Sequence, residues 1–170
     1  ALVASNYRDF KYCWAWDKVL PRGHLNAKKQ PLRVLEDICV FGRGATIYNP
    51  QKTSGHKRKV AHTRYDKSGD GSQVYGREQR NTLYDSTERY PTTLLTFSNA
   101  NQNGKFHPTQ KPVALFEYLI RTYTNPGDVV LDNTAGSGTT AIAAERAGRR
   151  WICIERDRGY YERAITRVFM

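Results

Sequence analysis

The chain has few of the features that mark secreted or membrane proteins. Its three cysteines, Cys13, Cys39 and Cys153, cannot all pair with one another, and each lies in an apolar run typical of a strand. We therefore expect buried free thiols in a reducing compartment rather than disulfides or a metal site. No secretory leader is apparent, and no apolar run approaches the roughly 18–20 residues that span a bilayer. A soluble, cytoplasmic protein that does not bind membranes is expected.

Acidic residues are also scarce, which leaves a net charge of +11 over 170 residues. The excess is uneven, because residues 1–105 carry +9 and residues 106–170 carry only +2. Such a basic region is typical of a surface that contacts a polyanion, although a generally basic soluble protein has the same composition. The length suffices for one domain with a hydrophobic core.

The most informative pattern lies at residues 129–155. A β-branched run leads into Asn-Thr-Ala-Gly-Ser-Gly-Thr-Thr at 133–140, a helical stretch follows, and a second apolar run ends on Glu155. This order indicates a nucleoside-binding half of an α/β sheet, with an acid placed for ribose hydroxyls. The turn lacks the third glycine of a dinucleotide site and the lysine of a P-loop. A nucleoside without a phosphate, S-adenosylmethionine, therefore fits better, and an ordinary α/β turn is the alternative.

A second segment, Phe-His-Pro-Thr-Gln-Lys-Pro at residues 106–112, precedes an amphipathic run. Together with the glycine turn at 133–140, it closely resembles the amino-methylating DNA methyltransferases, which modify adenine N6 or cytosine N4. The order of the segments is similar to the subgroup in which the catalytic half precedes the cofactor half. The segment Asn-Ala-Lys-Lys-Gln-Pro-Leu-Arg at 26–33 also resembles that family's substrate-side hairpin. The resemblance covers most of the chain and is weakest at 52–90.

The resemblance implies a partial Rossmann-like α/β fold, that of the S-adenosylmethionine-dependent methyltransferases, with an irregular DNA-recognition insertion. A single, incomplete domain would comprise substrate-side strands and a loop at 1–44, a target-recognition region at 45–105 and a cofactor-binding part at 106–170. Local patterns predict strands at 10–17, 35–41, 90–97 and 128–131, a polar loop at 18–33, and helices from Val113 and from about Asp157. Residues 46–105 show no periodicity, so little regular structure is expected there.

The resemblance also implies roles for individual residues. Residues 132–140 are expected to line the methionine and ribose parts of S-adenosylmethionine, and Glu155 to bind the ribose hydroxyls. Thr109 and Lys111 should hold the methionine end, while His107 orients their loop rather than transferring protons. Asp157 is expected near the adenine, although helix capping explains it equally well. The candidate cofactor-binding residues are His107, Thr109, Lys111, Asp132, Thr134, Ala135, Gly136, Ser137, Gly138, Thr139, Glu155 and Asp157.

Basic and polar side chains of the first two regions are expected to contact double-stranded DNA. In the family, the segment that resembles 26–33 lies near the extruded base and its phosphates, and target recognition belongs to the region after residue 45. Solvated loops without a DNA role are the alternative for both. The candidate DNA-binding residues are Asn26, Lys28, Lys29, Arg33, Lys57, Arg58, Lys59 and Arg64.

The chain lacks one part of the family pattern. In the family, an Asp-Pro-Pro-Tyr-like segment hydrogen-bonds the amino group and stacks on the flipped base, but no Pro-Pro pair occurs in these 170 residues. No catalytic residue is therefore assigned. The run Leu-Val-Ala-Ser-Asn-Tyr after Ala1 resembles the middle of a secondary-structure element. We therefore expect an upstream catalytic segment or a complementing chain to complete the sheet, whose edges would otherwise be unpaired. The chain alone should transfer no methyl group.

These expectations describe the cofactor-binding and DNA-recognition portion of a site-specific adenine-N6 DNA methyltransferase. The alternatives are a cytosine-N4 enzyme and a non-catalytic DNA-binding or specificity remnant of such an enzyme. Besides DNA and the catalytic segment, a second copy of the chain is a candidate partner in a homodimer.

Overall fold

The computed structural model describes residues 1–62, 83–99, 107 and 109–169. The chain forms two compact units, Ala1–Gln51 with Thr92–Met170, and Lys52–Pro91. The helices are α1 (Leu2–Ser5), α2 (Val113–Tyr123), α3 (Thr139–Ala147) and α4 (Arg158–Val168); the strands are β1 (Phe10–Arg22), β2 (Arg33–Phe41), β3 (Lys59–His62), β4 (Leu83–Ser86), β5 (Leu94–Thr96), β6 (Val129–Asp132) and β7 (Arg150–Cys153). Within the described ranges, no helix is long and apolar enough to cross a membrane.

The first sheet has the strand order β2-β1-β5, with β2 antiparallel and β5 parallel to β1. Alternation along β1 turns Trp14 and Trp16 towards α2, where both are buried. The strand predicted at 10–17 is confirmed, but it continues into the predicted polar loop. There the register shifts, Val19 has a φ of +67°, and the Asp17 carboxylate accepts the Val19 N–H at 2.8 Å. The Asp17 side chain thus takes the place of a backbone acceptor on the neighbouring strand, and β1 continues beyond the irregularity.

The second sheet is the parallel pair β6 and β7, joined by α3. Gly148 ends α3 in the left-handed conformation, with φ at +71°. One face of the pair packs on α3 through Val130 and Trp151. The opposite face is 46–63% exposed at four apolar positions: Val129, Leu131, Ile152 and Ile154. The strand predicted at 128–131 is therefore confirmed as β6, but this face of it is exposed, since no described element covers it.

Helix α2 lies between the two sheets, and the prediction of a helix from Val113 is confirmed. Leu115, which is 1% exposed, packs on the tryptophans of β1. Ile120, one and a half turns later, packs on the alanines of α3. The two faces of this one helix therefore fix the first sheet relative to α3, β6 and β7.

The second unit contains a two-stranded antiparallel sheet of β3 and β4. The expectation of little regular structure at 46–105 is thus partly wrong, because β3 and β4, which were not predicted, fall within that range. The strand predicted at 90–97 is reduced to the three residues of β5, which pair with β1. Residues 63–82 and 100–106 lie outside the described residues.

All three thiols are free, but they are half-buried rather than buried as expected. Cys13 and Cys39 face each other across β1 and β2, and their Sγ atoms are 3.5 Å apart. Cys153 lies on the face of β7 that meets α3, where burial raises the pKa of its thiol to about 11.

Candidate functional site

A cavity of about 470 Å³ lies where α2, β6, the segment around Lys111 and the glycine turn meet. Phe116, Leu119 and Val130 supply an apolar wall, and the turn after β6 supplies a polar one. Ligand pockets of this volume are common for drug-sized molecules and cofactors. The site is therefore large enough for a nucleoside with an extended substituent.

Asp132 joins the two ends of the glycine turn. Its Oδ1 accepts the Thr134 N–H at 3.0 Å, and its Oδ2 accepts the Thr140 hydroxyl at 2.5 Å. Gly136 and Gly138 have φ values of +54° and +71°, a region in which a side chain is strained. A Cβ on Gly138 would also lie 3.0 Å from a methyl carbon of Val168. The second glycine therefore permits close packing of the turn on α4.

Glu155, just after β7, is hydrogen-bonded to this turn. Its Oε2 accepts the Gly136 N–H at 2.8 Å, and its Oε1 accepts the Asp157 N–H at 2.9 Å. The backbone N–H groups of Asp157 and Gly136 hold the pKa of Glu155 below its ordinary value, so the side chain is ionised at neutral pH. A carboxylate oxygen has two lone pairs, so each oxygen can also accept a ligand hydroxyl.

His107 lies over the turn and connects it to α4. A Cβ on Gly136 would be 3.5 Å from the imidazole, and the ring packs edge-on against Tyr160 with centroids 4.2 Å apart. The backbone N–H of Thr109 donates to His107 Nδ1 at 3.2 Å, and the Thr109 hydroxyl is 3.0 Å from the same nitrogen. These contacts order the segment around Lys111.

Arg167 of α4 is hydrogen-bonded to the glycine turn, a contact that sequence reasoning missed. Its Nη1 donates to the Ser137 carbonyl at 2.8 Å, and to the hydroxyls of Ser137 and Thr139 at 3.0 Å each. Burial lowers the pKa of its guanidinium, and no carboxylate of the described residues pairs with it. Nothing in the local sequence around Arg167 indicates a contact with residues almost thirty positions earlier.

Nine of the twelve candidate cofactor-binding residues line the large cavity. They are His107, Thr109, Lys111, Asp132, Thr134, Ala135, Gly136, Ser137 and Thr139. Gly138 and Glu155 line a neighbouring cavity of about 170 Å³. Asp157 lies in neither lining and caps α4, accepting the Tyr160 N–H at 2.9 Å. Sequence reasoning did not assign the remaining lining residues to the site, namely Gln110, Phe116, Leu119, Ile120, Val130 and Leu131. The apolar face of α2 was a signal for Phe116, Leu119 and Ile120.

The family model for DNA methylases of the N6 and N4 methyltransferase type matches residues 9–166. The chain belongs to this family. Among curated proteins, the type II methyltransferase M.HpaI of Haemophilus parainfluenzae is 41% identical over 81 residues, which are 46% of this chain and 26% of that protein. The chain thus matches about a quarter of that relative's length.

Solved DNA methylases share the fold of the chain. The M1.HpyAVI–SAM complex matches with a TM-score of 0.60 and 25% identity, over 95% of this chain and 63% of that one. The cytosine-N4-specific PvuII DNA methyltransferase matches with a TM-score of 0.60 and 23% identity, over 98% of this chain and 54% of that one. The predicted family and the partial Rossmann-like methyltransferase fold are therefore confirmed.

The candidate DNA-binding residues fall in two places. Asn26, Lys28, Lys29 and Arg33 are exposed around the end of the β1–β2 hairpin, and within the described residues none of these basic side chains forms a salt bridge. In the second unit, Lys57, Arg58 and Lys59 are exposed as well. Arg58 is already held by Asp85 through two hydrogen bonds of 2.7 and 2.5 Å, so it is the least available of them. Arg64 lies outside the described residues.

Proposed function

We propose that this chain is the donor-binding and DNA-recognition portion of a site-specific DNA methyltransferase that modifies adenine N6, with S-adenosylmethionine as the methyl donor. The observation that carries the proposal is the 470 Å³ cavity, which brings Thr109 and Lys111 opposite the glycine turn. The relative M1.HpyAVI was solved in complex with SAM. Membership of the DNA methylase family supports the same donor here.

The residues of the large cavity and of the neighbouring one fit this donor chemically. The ionised Glu155 is an acceptor for the two ribose hydroxyls, and the Lys111 ammonium is a partner for the methionine carboxylate. The apolar side chains of α2 and β6 give the donor an apolar surface to pack against. When bound, S-adenosylmethionine supplies a methyl group on a positively charged sulfur, and the side chains named here bind and orient it.

The DNA part of the proposal rests on exposed positive charge. Lys28 and Lys29 are exposed on a hairpin whose base, at β1, belongs to the same unit as the cavity. Such lysines neutralise phosphates and position a duplex without reading its sequence. The surroundings of Asn26 and of His107 resemble adenine enzymes, which makes adenine N6 the proposed target. Cytosine N4 is the alternative, since its exocyclic amino group presents the same nucleophile.

The proposal also includes a further segment or chain that completes the sheet of β6 and β7. The four exposed apolar side chains on β6 and β7 form a face that parallel sheets normally bury. An upstream catalytic segment of the same enzyme, or a complementing chain, would cover this face and supply the Pro-Pro segment that the 170 residues lack. A second copy of the chain in a homodimer is another cover for it. A cytoplasmic location belongs to the same proposal, since chromosomal DNA is the substrate.

The test is methyl transfer from isotopically labelled S-adenosylmethionine to duplex DNA, followed by digestion to nucleosides. The full polypeptide encoded by the gene is compared with the 170-residue chain alone. We expect label in N6-methyldeoxyadenosine with the full polypeptide and none with the chain alone. Label in N4-methyldeoxycytidine would select the cytosine alternative. Donor-independent DNA binding without transfer by the full polypeptide would indicate the non-catalytic remnant, and transfer by the chain alone would refute the need for completion.

A further inference from the structure

Three charged side chains meet where the β1–β2 hairpin adjoins the segment around Lys111. Glu36 of β2 accepts a hydrogen bond from Lys18 at its Oε1 and another from Lys111 at its Oε2, both at 3.1 Å. We call these three residues the lysine–glutamate cluster. Only Lys111 of the three lines the large cavity.

The cluster holds the Lys111 ammonium in one place. Besides the bond to Glu36, this ammonium lies 5.4 Å from the ring centroid of the buried Trp16, within the range of a cation–π contact. Its side chain is 37% exposed, so the ammonium is fixed on one side and open on the other. An ammonium has three N–H donors, and the bond to Glu36 occupies one of them.

Lys18 has a different position from Lys111, because its side chain is only 5% exposed. A buried ammonium is unfavourable unless a counter-ion pairs with it, and the pair itself adds little to stability compared with apolar residues of similar size. Packing alone therefore does not account for a lysine here. Its charge has an effect on the cavity, however. Glu36 and Lys111 by themselves would form a neutral pair, and Lys18 leaves the cluster with one net positive charge.

Glu36 is ionised at neutral pH in this setting. Burial acts to raise the pKa of its carboxyl, but the hydrogen bonds from Lys111 and Lys18 outweigh burial and hold that pKa below its ordinary value. The cluster is thus two cations around one anion, and the open side of its positive charge faces the cavity. The carboxylate in the cavity lining is that of Asp132, which accepts hydrogen bonds from Thr134 and Thr140.

We propose that Lys18 and Glu36 are positioning residues for a ligand carboxylate at this wall of the cavity, the α-carboxylate of the donor's amino-acid end. Glu36 places the Lys111 ammonium, and Lys18 cancels the charge of Glu36 so that the ammonium attracts an anion. This inference rests on the proposed function, because the carboxylate belongs to the proposed donor.

The experiment compares two ligands that share adenosine and a thioether. S-adenosylhomocysteine has the amino-acid end, whereas 5′-methylthioadenosine lacks it. Calorimetry on the full polypeptide gives a dissociation constant for each, and the ratio of the two measures recognition of the amino-acid end alone. A residue that merely supports the fold would change both constants together and leave the ratio unchanged.

We expect Lys111→Met to weaken S-adenosylhomocysteine binding about tenfold, as for a lost hydrogen bond between charged groups. Lys18→Met should weaken it about threefold through the lost charge, without direct contact. Binding of 5′-methylthioadenosine should change less than about twofold in both variants, because it makes no contact with this charge. Because Glu36 is 42% exposed and keeps its hydrogen bond from Lys111, Lys18→Met leaves the Glu36 carboxylate paired and should keep a near-native melting temperature.

Lys52→Met is the matched control. Lys52 pairs with Glu88 at 3.1 Å and has the same 37% side-chain exposure as Lys111, but it belongs to the second unit. The Lys52→Met variant should leave the dissociation constants of both ligands unchanged. A wild-type ratio in a well-folded Lys18→Met variant would overturn the inference while leaving the proposed function intact. Failure of the wild-type polypeptide to bind either ligand would overturn the proposed function, and the inference with it.

Discussion

Replacing Arg167 with methionine tests whether α4 holds the glycine turn in place. The Arg167 guanidinium donates to the Ser137 carbonyl and to two hydroxyls, at distances of 2.8–3.0 Å. Ser137 and Thr139 are only 4% and 5% exposed, so water has little access to these acceptors. Methionine fills similar space but has no donor, and the acceptors would remain buried without this partner.

The size of the effect follows from the unsatisfied acceptors. Leaving a buried acceptor without a partner costs about 1–3 kcal/mol. Taking about 2 kcal/mol for the Ser137 carbonyl, the melting temperature of a protein of this size should fall by about 4–8 °C. Because Ser137 and Thr139 also line the large cavity, a loosened turn should weaken S-adenosylmethionine binding by about fivefold, which corresponds to about 1 kcal/mol.

Differential scanning calorimetry and ligand titration measure the two effects on the same samples. Arg163→Met is the matched control, since Arg163 lies one turn earlier on α4 and is exposed. Arg167→Lys keeps the charge but not the planar guanidinium, so it should recover part of both losses. If Arg167→Met has the melting temperature of the Arg163→Met control and the donor affinity of the wild type, α4 does not hold the turn.

Four further results are expected. Glu155→Ala should weaken S-adenosylmethionine binding in calorimetry far more than Lys57→Ala, because Glu155 bonds the turn at Gly136; equal losses would contradict the assigned pocket. Glu36→Gln should lower the melting temperature most near neutral pH, and the difference should shrink as pH falls below the ordinary pKa of a glutamate and through the depressed pKa of Glu36; a constant difference would contradict that assignment. Oxidised glutathione at alkaline pH should join Cys13 to Cys39 and release two molecules of glutathione, leaving Cys153 reduced in peptide mass spectra, because only the first two thiols lie 3.5 Å apart; a mixed disulfide on either of them instead would contradict their pairing. Replacing Lys28 and Lys29 with alanine should reduce the slope of log affinity for DNA against log salt by about 2, and an unchanged slope would remove both from the DNA contact.

The sequence was sufficient for elements that local patterns determine. The helix from Val113 and the strands of the hairpin follow from periodicity within a few residues. The glycine turn and the segment around Lys111 were also correctly expected to meet, but only because their resemblance to a family supplied the long-range arrangement. Periodicity alone would have left them as two separate segments.

What the sequence could not supply are contacts between distant residues. The pairing of β5 with β1 joins residues almost eighty positions apart, and a three-residue strand has no period to detect. The bonds from Arg167 to Ser137 and from Lys111 to Glu36 depend on the final packing of α4 and of the hairpin. The exposed face of β6 and β7 could not be predicted from periodicity, although the missing Pro-Pro segment indicated an incomplete sheet. Their continuous apolar pattern is typical of strands covered on both faces, and a sequence pattern cannot report whether the cover is present.

The candidate site depends on α2 more than on any residue that would touch the donor. The turn and Glu155 belong to the layer of β6, β7 and α3, whereas the lysine–glutamate cluster is anchored on β1 and β2. Within the described residues, these two layers share no sheet, and α2 packs on both through Leu115 on one face and Ile120 on the other. Because the layers are held at a fixed spacing by side-chain packing, a change of one methylene in that packing shifts one wall of the cavity relative to the other. The distance between the ribose and carboxylate ends of the proposed donor site is thus set by an apolar helix, which explains why an apolar sequence pattern lies between two motifs of polar residues.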